Sequence, residues 1–191
     1  MRLIIIDGLD GVGKDTHARL IKERYEKNGE MVIIRSHPED DNFFGKTAKN
    51  ALLGNGPVNK TKAAAFYMLY VLRSIKKYYR KKDIDTLIMV RYLMGTAYLP
   101  FRMAKLAYQW FENFVPTSSY MLFLDASPEE LFKRVQRRKE KEMFENIDEL
   151  INVRTKALKL ATNWNIVGTD RSVQHTAAHI EKLLQKLDKK Q

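Results

Sequence analysis

The chain has 191 residues, of which 45% are hydrophobic and 30% charged, and it contains no cysteine. This length suits one domain with a complete hydrophobic core, and the lack of cysteine excludes disulfides and thiolate metal sites. The net charge of +11 suits polyanionic partners. Because the basic residues are spread along the whole chain, we expect nucleoside phosphates rather than nucleic acid as the partners.

The sequence also bears on location. No apolar run approaches the roughly 18 residues that are needed to cross a membrane. The Met-Arg start lacks the apolar core and the cleavage site of a signal peptide. The sequence therefore predicts a cytoplasmic protein with no membrane partner.

The first predicted element is a buried strand at 3–6, where four branched apolar residues precede an Asp-Gly pair. A helical spacing of apolar residues begins after Lys14. Between the two lies the spacing Gly8-x4-Gly13-Lys14. Strand, glycine-rich turn and helix is the context that a phosphate-binding loop requires, although a turn that is glycine-rich by chance would share this composition.

This loop has the physical properties that bind phosphate. Glycines accept positive φ and let backbone N–H groups approach an anion, and the N-terminus of a helix adds unpaired donors. Lys14 supplies a mobile positive charge. The residues predicted to bind phosphate are Gly8, Leu9, Asp10, Gly11, Val12, Gly13, Lys14, Asp15 and Thr16.

One position departs from the usual loop. The residue after the lysine is normally Ser or Thr, whose hydroxyl reaches Mg²⁺, but here it is Asp15, with Thr16 one step later. A carboxylate can bind Mg²⁺, and it also places a negative charge beside the phosphates. Asp15 and Thr16 are the predicted metal ligands.

The remaining elements alternate along the chain. The predicted strands are 3–6, 31–35, 85–90, 120–124 and 165–169. The predicted helices are 15–27, 43–53, 60–81 capped by Asn59, 97–114, one that starts at a Ser127 cap with Pro128 and Glu130, 147–162 and 173–186.

Alternation of strands and helices predicts an α/β fold, a three-layer, doubly wound parallel sheet of five strands with helices on both faces. We expect one domain over 1–191. Ligands of such sheets bind beyond the carboxyl ends of the strands. Those ends carry Asp7, Arg35, Arg91 and Asp125, so the binding edge is predicted to be charged.

The first loop, Arg91-Tyr92 after the third strand, and the arginine-rich segment after the fourth appear in a familiar order. Together they resemble the thymidylate kinase family of P-loop nucleoside monophosphate kinases over essentially the whole chain. The resemblance implies ATP and Mg²⁺ as cofactors, a helical lid at about 134–147, and a homodimer. It implies ATP-dependent phosphorylation of a nucleoside monophosphate, with dTMP converted to dTDP as the leading reaction.

The resemblance also assigns roles to residues. The predicted acceptor-binding residues are Asp10, Pro38, Leu69, Tyr70, Arg73, Arg91 and Tyr98. The predicted catalytic residues are Lys14, Arg91, Arg134 and Arg138, and Arg137 of the lid is predicted to bind ATP. In the family an aromatic residue occupies the position of Leu69, so Tyr70 or Phe66 would have to stack on the base. Arg134 and Arg138 have the alternative of being solvated.

Two departures from the family pattern bear on activity. The family carboxylate before Arg91 is replaced by Val90, and Asp15 is a carboxylate that the family loop lacks. We hypothesise that Asp15 replaces the missing group. The alternatives are a non-catalytic or regulatory nucleotide-binding protein of the same fold, and a P-loop kinase with a different small acceptor, which the lack of an Arg after Pro38 keeps open.

Overall fold

The computed structural model describes residues 1–37, 57–137 and 147–190. The strands are β1 Arg2–Gly8, β2 Val32–Ser36, β3 Thr86–Val90, β4 Met121–Asp125 and β5 Asn165–Gly168. The helices are α1 Lys14–Glu26, α2 Pro57–Tyr78, a 3₁₀ helix Met94–Tyr98, α3 Phe101–Phe114, α4 Pro128–Gln136, α5 Ile147–Leu160 and α6 Val173–Asp188.

The described strands form one parallel sheet in the order β2-β3-β1-β4-β5, with helices on both faces. The predicted α/β fold is therefore confirmed. The three central strands are continuous apolar runs because both of their faces are covered. Ile5 of β1 lies beside Met89 of β3 and Met121 of β4, so the first loop leaves the middle of the sheet.

One predicted helix is two elements. The stretch predicted as a helix at 97–114 contains the last two residues of the 3₁₀ helix, an extended Leu99 and then α3, with Pro100 as the residue that precedes α3. Proline disfavours helical backbone in the residue before it, and Leu99 accordingly has φ −74° and ψ 162°. Tyr98, at the end of the 3₁₀ helix, hydrogen-bonds to Asp10 in the first loop, and α3 begins as a separate helix after the break.

One other helix start and one predicted helix cap differ from the sequence prediction. Helix α2 begins at Pro57 rather than after Asn59, as suits a proline in the first turn. Ser127 precedes α4 as predicted, but its side chain makes no capping hydrogen bond. The predicted helix at 43–53, most of the predicted lid, Pro38 and Arg138 lie outside the described residues.

Helix α3 divides its aromatic residues between core and surface. Tyr108 and Phe111 are buried. The exposed apolar side chains on one side of α3, which we call the α3 face, are Met103, Leu106, Trp110 and Phe114. Phe101 is also exposed, but it lies on another side of the helix, where its ring meets Lys159. Within the described ranges, no helix combines the length and the hydropathy that crossing a bilayer requires.

Candidate active site

The first loop joins the end of β1 to the start of α1 and depends on two glycines. Gly8 has φ +141°, and a Cβ there would lie 2.2 Å from the carbonyl oxygen of Leu124. Gly13 has φ +88° directly before α1. A side chain at Gly8 would push the loop off β4, and one at Gly13 would strain the turn that exposes the first N–H groups of α1.

Lys14 folds back over this loop. Its Nζ donates to the carbonyl oxygens of Gly8 and Leu9, both at 2.7 Å, and lies 3.5 Å from a carboxylate oxygen of Asp10. Burial lowers the pKa of Lys14, and the Asp10 carboxylate opposes that shift. The ammonium is therefore held inside the loop, beside the N–H groups at the start of α1 that can bind an anion.

Arg91 follows β3 and brings four elements together. Its guanidinium lies 3.2 Å from the Asp15 carboxylate and 3.8 Å from that of Asp10, and it donates to the Ser36 hydroxyl at 3.0 Å. Burial opposes the charge of Arg91, but Asp10 and Asp15 outweigh it and raise the pKa. The cation therefore links the first loop, α1, β2 and β3.

The segment after Arg91 is anchored by Asp7. One carboxylate oxygen of Asp7 accepts hydrogen bonds from the backbone N–H groups of Tyr92, Leu93 and Met94, at 2.8, 2.8 and 3.1 Å. Burial raises the pKa of Asp7, and these three donors and Lys14 partly offset the shift. Asp7 therefore fixes the backbone that follows Arg91 against the end of β1.

Asp10 lies between residues that are predicted to bind the phosphates of ATP and residues that are predicted to bind the acceptor. It accepts a hydrogen bond from the Tyr98 hydroxyl at 3.2 Å and faces both Lys14 and Arg91. Burial would raise its pKa, but the charges of Lys14 and Arg91 outweigh burial and lower it. Three of the predicted acceptor-binding residues, Asp10, Arg91 and Tyr98, thus lie together.

Asp15 is ionised by its surroundings. Burial opposes ionisation, but the charge of Arg91 and the hydrogen bond from Ser36, at 3.0 Å, outweigh it and lower the pKa of Asp15. The side chain is 51% exposed, so solvent and ligands can reach it. Thr16, in the same first turn of α1, is also exposed.

The oxygen atoms of Asp15 and Thr16 suit Mg²⁺, which prefers oxygen ligands and keeps several water molecules. In the part of the chain that the structure describes, no three His, Cys, Asp or Glu side chains group as metal ligands do. A magnesium ion here would therefore be shared between one carboxylate, one hydroxyl, water and the phosphates of a nucleotide.

Arg134 on α4 lies against the first loop from the other side. It donates to the carbonyl oxygens of Thr169 at 2.7 Å and Gly11 at 3.3 Å, and it pairs with Glu130 at 2.8 Å. A Cβ at Gly11 would lie 3.5 Å from Arg134 Cβ. This arginine is therefore bound within the site rather than solvated, while Arg137, one residue past α4, is exposed.

The predicted acceptor residues on α2 have different surroundings. Tyr70 is fully buried, accepts a hydrogen bond from Arg35 at 2.9 Å and meets the His37 ring edge-on. Leu69 is 49% exposed and Arg73 is exposed. The structure thus places Tyr70 in the core beside β2 and leaves Leu69 and Arg73 open to solvent.

Three contributors to the site were not predicted as site residues. They are Asp7, Ser36 and Tyr67, whose hydroxyl donates to the carbonyl oxygen of Arg91. A carboxylate at the end of a buried strand is a signal for Asp7. The sequence offers no signal for Tyr67, which reads as one more apolar position of a long helix.

Comparisons with known proteins agree with this geometry. A family model for thymidylate kinase matches residues 6–180. A probable thymidylate kinase from Thermococcus onnurineus is 30% identical over an alignment of 177 positions that covers 83% of this chain and 83% of that protein. A probable thymidylate kinase from Thermococcus kodakarensis is 29% identical over an alignment of 177 positions, which also covers 83% of each chain.

A solved structure of thymidylate kinase from Candida albicans has the same fold. The TM-score is 0.76 at 16% sequence identity, and the match covers 98% of this chain and 92% of that one. The family model extends from β1 into α6, so it includes the first loop, Arg91 and α4. The chain therefore belongs to the thymidylate kinase family and is a kinase, that is, a phosphotransferase.

Proposed function

We propose that this kinase transfers the γ-phosphoryl group of ATP to dTMP and forms dTDP and ADP. The observation that carries the proposal is the position of two cations around one carboxylate. Lys14 Nζ and Arg91 Nε lie 3.5 and 3.8 Å from the same oxygen of Asp10. Phosphoryl transfer needs donor and acceptor phosphates brought together and their charge neutralised, and two adjacent cations provide this.

On the donor side, the first loop would hold the phosphates. The N–H groups at the start of α1 bind the non-transferred phosphates, and Lys14 exchanges its two carbonyl partners for phosphate oxygens. Arg134 would stabilise the loop through its hydrogen bond to the Gly11 carbonyl oxygen.

On the acceptor side, Arg91 would orient the phosphate of the monophosphate. Its guanidinium is shared between two carboxylates, so an entering phosphate competes with Asp15 for it. Asp10 and Tyr98 would contact the sugar. Arg73, Leu69 and Tyr70 of α2 remain the proposed contacts to the acceptor, together with Pro38, and Arg137 and Arg138 the proposed cations of the lid.

Mg²⁺ would neutralise the phosphate charge that develops during transfer. Asp15 and Thr16 are the residues that we propose to hold it, because they place oxygen ligands beside Lys14 in the first turn of α1. If Asp15 held the metal, Arg91 would be free to bind the acceptor phosphate. One carboxylate would thus serve the function that Val90 cannot.

We also propose that two copies pair through the α3 face. Its members are 47 to 68% exposed, and the ring centroids of Trp110 and Phe114 lie 4.6 Å apart on it. An exposed apolar face of this kind marks an interaction surface, and an isologous contact places the same face on both subunits.

One observation favours a second function, nucleotide binding without phosphoryl transfer. The Asp15 carboxylate already pairs with Arg91 and carries negative charge beside Lys14. A protein in which this pair does not open would bind nucleotide without transferring phosphate. A kinase with another acceptor is a further alternative, and the Candida albicans structure is described as explaining broad substrate specificity in that enzyme.

The test is ADP release from ATP with dTMP, dUMP, UMP, CMP, AMP and GMP, each with and without Mg²⁺. We expect Mg²⁺-dependent release with dTMP above the other acceptors. Higher turnover with another monophosphate would correct the acceptor. Binding of ATP without ADP release in any mixture would overturn the enzymatic proposal in favour of the nucleotide-binding reading.

A further inference from the structure

Arg91 has a backbone conformation that its side chain does not favour. Its φ is +55°, in the left-handed region, where residues other than glycine are uncommon. Its N–H still donates to the carbonyl oxygen of Ile6 at 3.0 Å, as if β3 continued. Such strain persists only where the surroundings determine the conformation, so other groups must hold the peptide after Arg91.

The carbonyl side of that peptide is held by Tyr67. The Tyr67 hydroxyl donates to the Arg91 carbonyl oxygen, and the side chain is 8% exposed. Burial, with the Asp7 carboxylate nearby, raises the pKa of Tyr67 well above its usual value, so the hydroxyl keeps its proton. On the N–H side, Asp7 binds the next three residues.

Gly95 makes room for the Tyr67 ring. A Cβ on Gly95 would lie 2.8 Å from Tyr67 Cε1 and 3.1 Å from Cζ. Real Cβ atoms do not approach ring atoms so closely, so any other residue at 95 would displace the ring. The Tyr67 hydroxyl and the lack of a side chain at Gly95 are therefore two separate features that both allow the contact with the Arg91 carbonyl.

We propose that Tyr67 is a positioning residue that holds the Arg91 peptide in its left-handed conformation and so aims the guanidinium at the acceptor phosphate. This inference rests on the proposed function, since it assigns a residue to the acceptor side of that reaction. Tyr67 lies on α2, the helix that also carries Leu69, Tyr70 and Arg73. The Tyr67 hydrogen bond therefore connects Arg91 directly to α2, the helix that carries these proposed acceptor contacts.

The competing interpretation is that Tyr67 is only a buried tyrosine that stabilises the fold. A matched control separates the two. Tyr120 is also buried, and its hydroxyl donates to Asp188 at 2.9 Å, a contact with α6. Tyr67→Phe and Tyr120→Phe each remove one buried hydroxyl and keep the ring, so both should lower Tm modestly.

The experiment measures kcat and KM for dTMP and for ATP in both variants, in Arg91→Ala, and in the double variant Tyr67→Phe/Arg91→Ala. We expect Tyr67→Phe to lower kcat/KM for dTMP about tenfold, with the KM for ATP within about twofold. Tyr120→Phe should change neither. Because Tyr67 acts through Arg91, the double variant should be no worse than Arg91→Ala alone.

Unchanged acceptor kinetics in Tyr67→Phe, or a loss that adds fully to that of Arg91→Ala, would overturn the inference. A wild-type protein with no turnover on any acceptor would instead refute the proposed function. In that event a crystal structure of Tyr67→Phe decides the inference. Arg91 leaving positive φ supports it, and Arg91 keeping both its φ and its contact with Asp15 overturns it.

Discussion

The Asp15 carboxylate lies 3.2 Å from the Arg91 guanidinium, and the Ser36 hydroxyl contacts both groups at 3.0 Å. The pair joins the first turn of α1 to the end of β3, across the place where donor and acceptor phosphates would meet. In the proposed function, opening this pair is the step that would separate catalysis from simple nucleotide binding.

Asp15→Asn should weaken the use of Mg²⁺. The change removes the charge but keeps the size of the side chain, and we expect kcat to fall roughly tenfold or more and half-saturation to need more Mg²⁺. A Mg²⁺ titration of ADP formation measures both. Glu23→Gln, which neutralises an exposed carboxylate on the same helix, is the control. Unaltered Mg²⁺ dependence in Asp15→Asn would remove Asp15 from the metal site.

Gly95→Ala should reproduce the effect of Tyr67→Phe. The added methyl group meets the Tyr67 ring at 2.8 Å, so the ring must shift and its hydroxyl leaves the Arg91 carbonyl. We expect kcat/KM for dTMP to fall about tenfold. Gly168→Ala is the control, because a Cβ there meets nothing within 4 Å and φ is not positive. Equal kinetics in the two alanine variants would contradict the role given to Tyr67.

The sequence predicted the sheet because its determinants are local. Buried parallel strands are continuous apolar runs, and the first loop follows one of them, so strand, loop and helix could be placed from periodicity alone. The end of β1 also placed Asp7 at the binding edge. Periodicity could not predict which charged side chains would pair with one another in the fold.

The contacts that the sequence missed join residues far apart in the chain. Ser36 meets Asp15 and Arg91, and Tyr67 meets Arg91, only because β2, α1, α2 and β3 pack as they do. The split of the helix predicted at 97–114 was readable from Pro100, since proline restricts the residue before it. The first turn of the predicted 97–114 helix was therefore wrongly assigned to one continuous helix.

Asp188→Asn should destabilise the protein in a pH-dependent way. Burial would raise the pKa of Asp188, but hydrogen bonds from Tyr120, Arg24 and Tyr25 outweigh burial and lower it. A lowered pKa stabilises the fold above the usual carboxyl pKa of about 4, and this contribution is lost as the pH falls through the folded value. We expect a loss of about 2 kcal/mol at neutral pH.

Urea unfolding of wild type and Asp188→Asn between about pH 3 and pH 7 measures this difference. It should be constant from about pH 5 upward and shrink below about pH 4. Asp83→Asn, at an exposed position, should change stability little. A difference between wild type and Asp188→Asn that stays the same at low pH would show that the charge of Asp188 does not stabilise the fold.

The double variant Leu106→Glu/Trp110→Glu should separate the proposed dimer. Both side chains belong to the α3 face, at 68 and 52% exposure, and two like charges opposed across an isologous contact repel. Light scattering should give a dimer for wild type and a monomer for the variant. Gln109→Glu, an exposed neighbour on α3, is the control. A monomeric wild type would refute this pairing.

The proposed function requires Lys14 and Arg91 to bring two nucleotides together for direct phosphoryl transfer. The most direct measurement incubates γ-labelled ATP with dTMP and Mg²⁺ and identifies the labelled product for wild type and Lys14→Met. We expect label in dTDP, with Lys14→Met at least about a hundredfold slower. Label found only in inorganic phosphate, or equal rates in the two proteins, would contradict it.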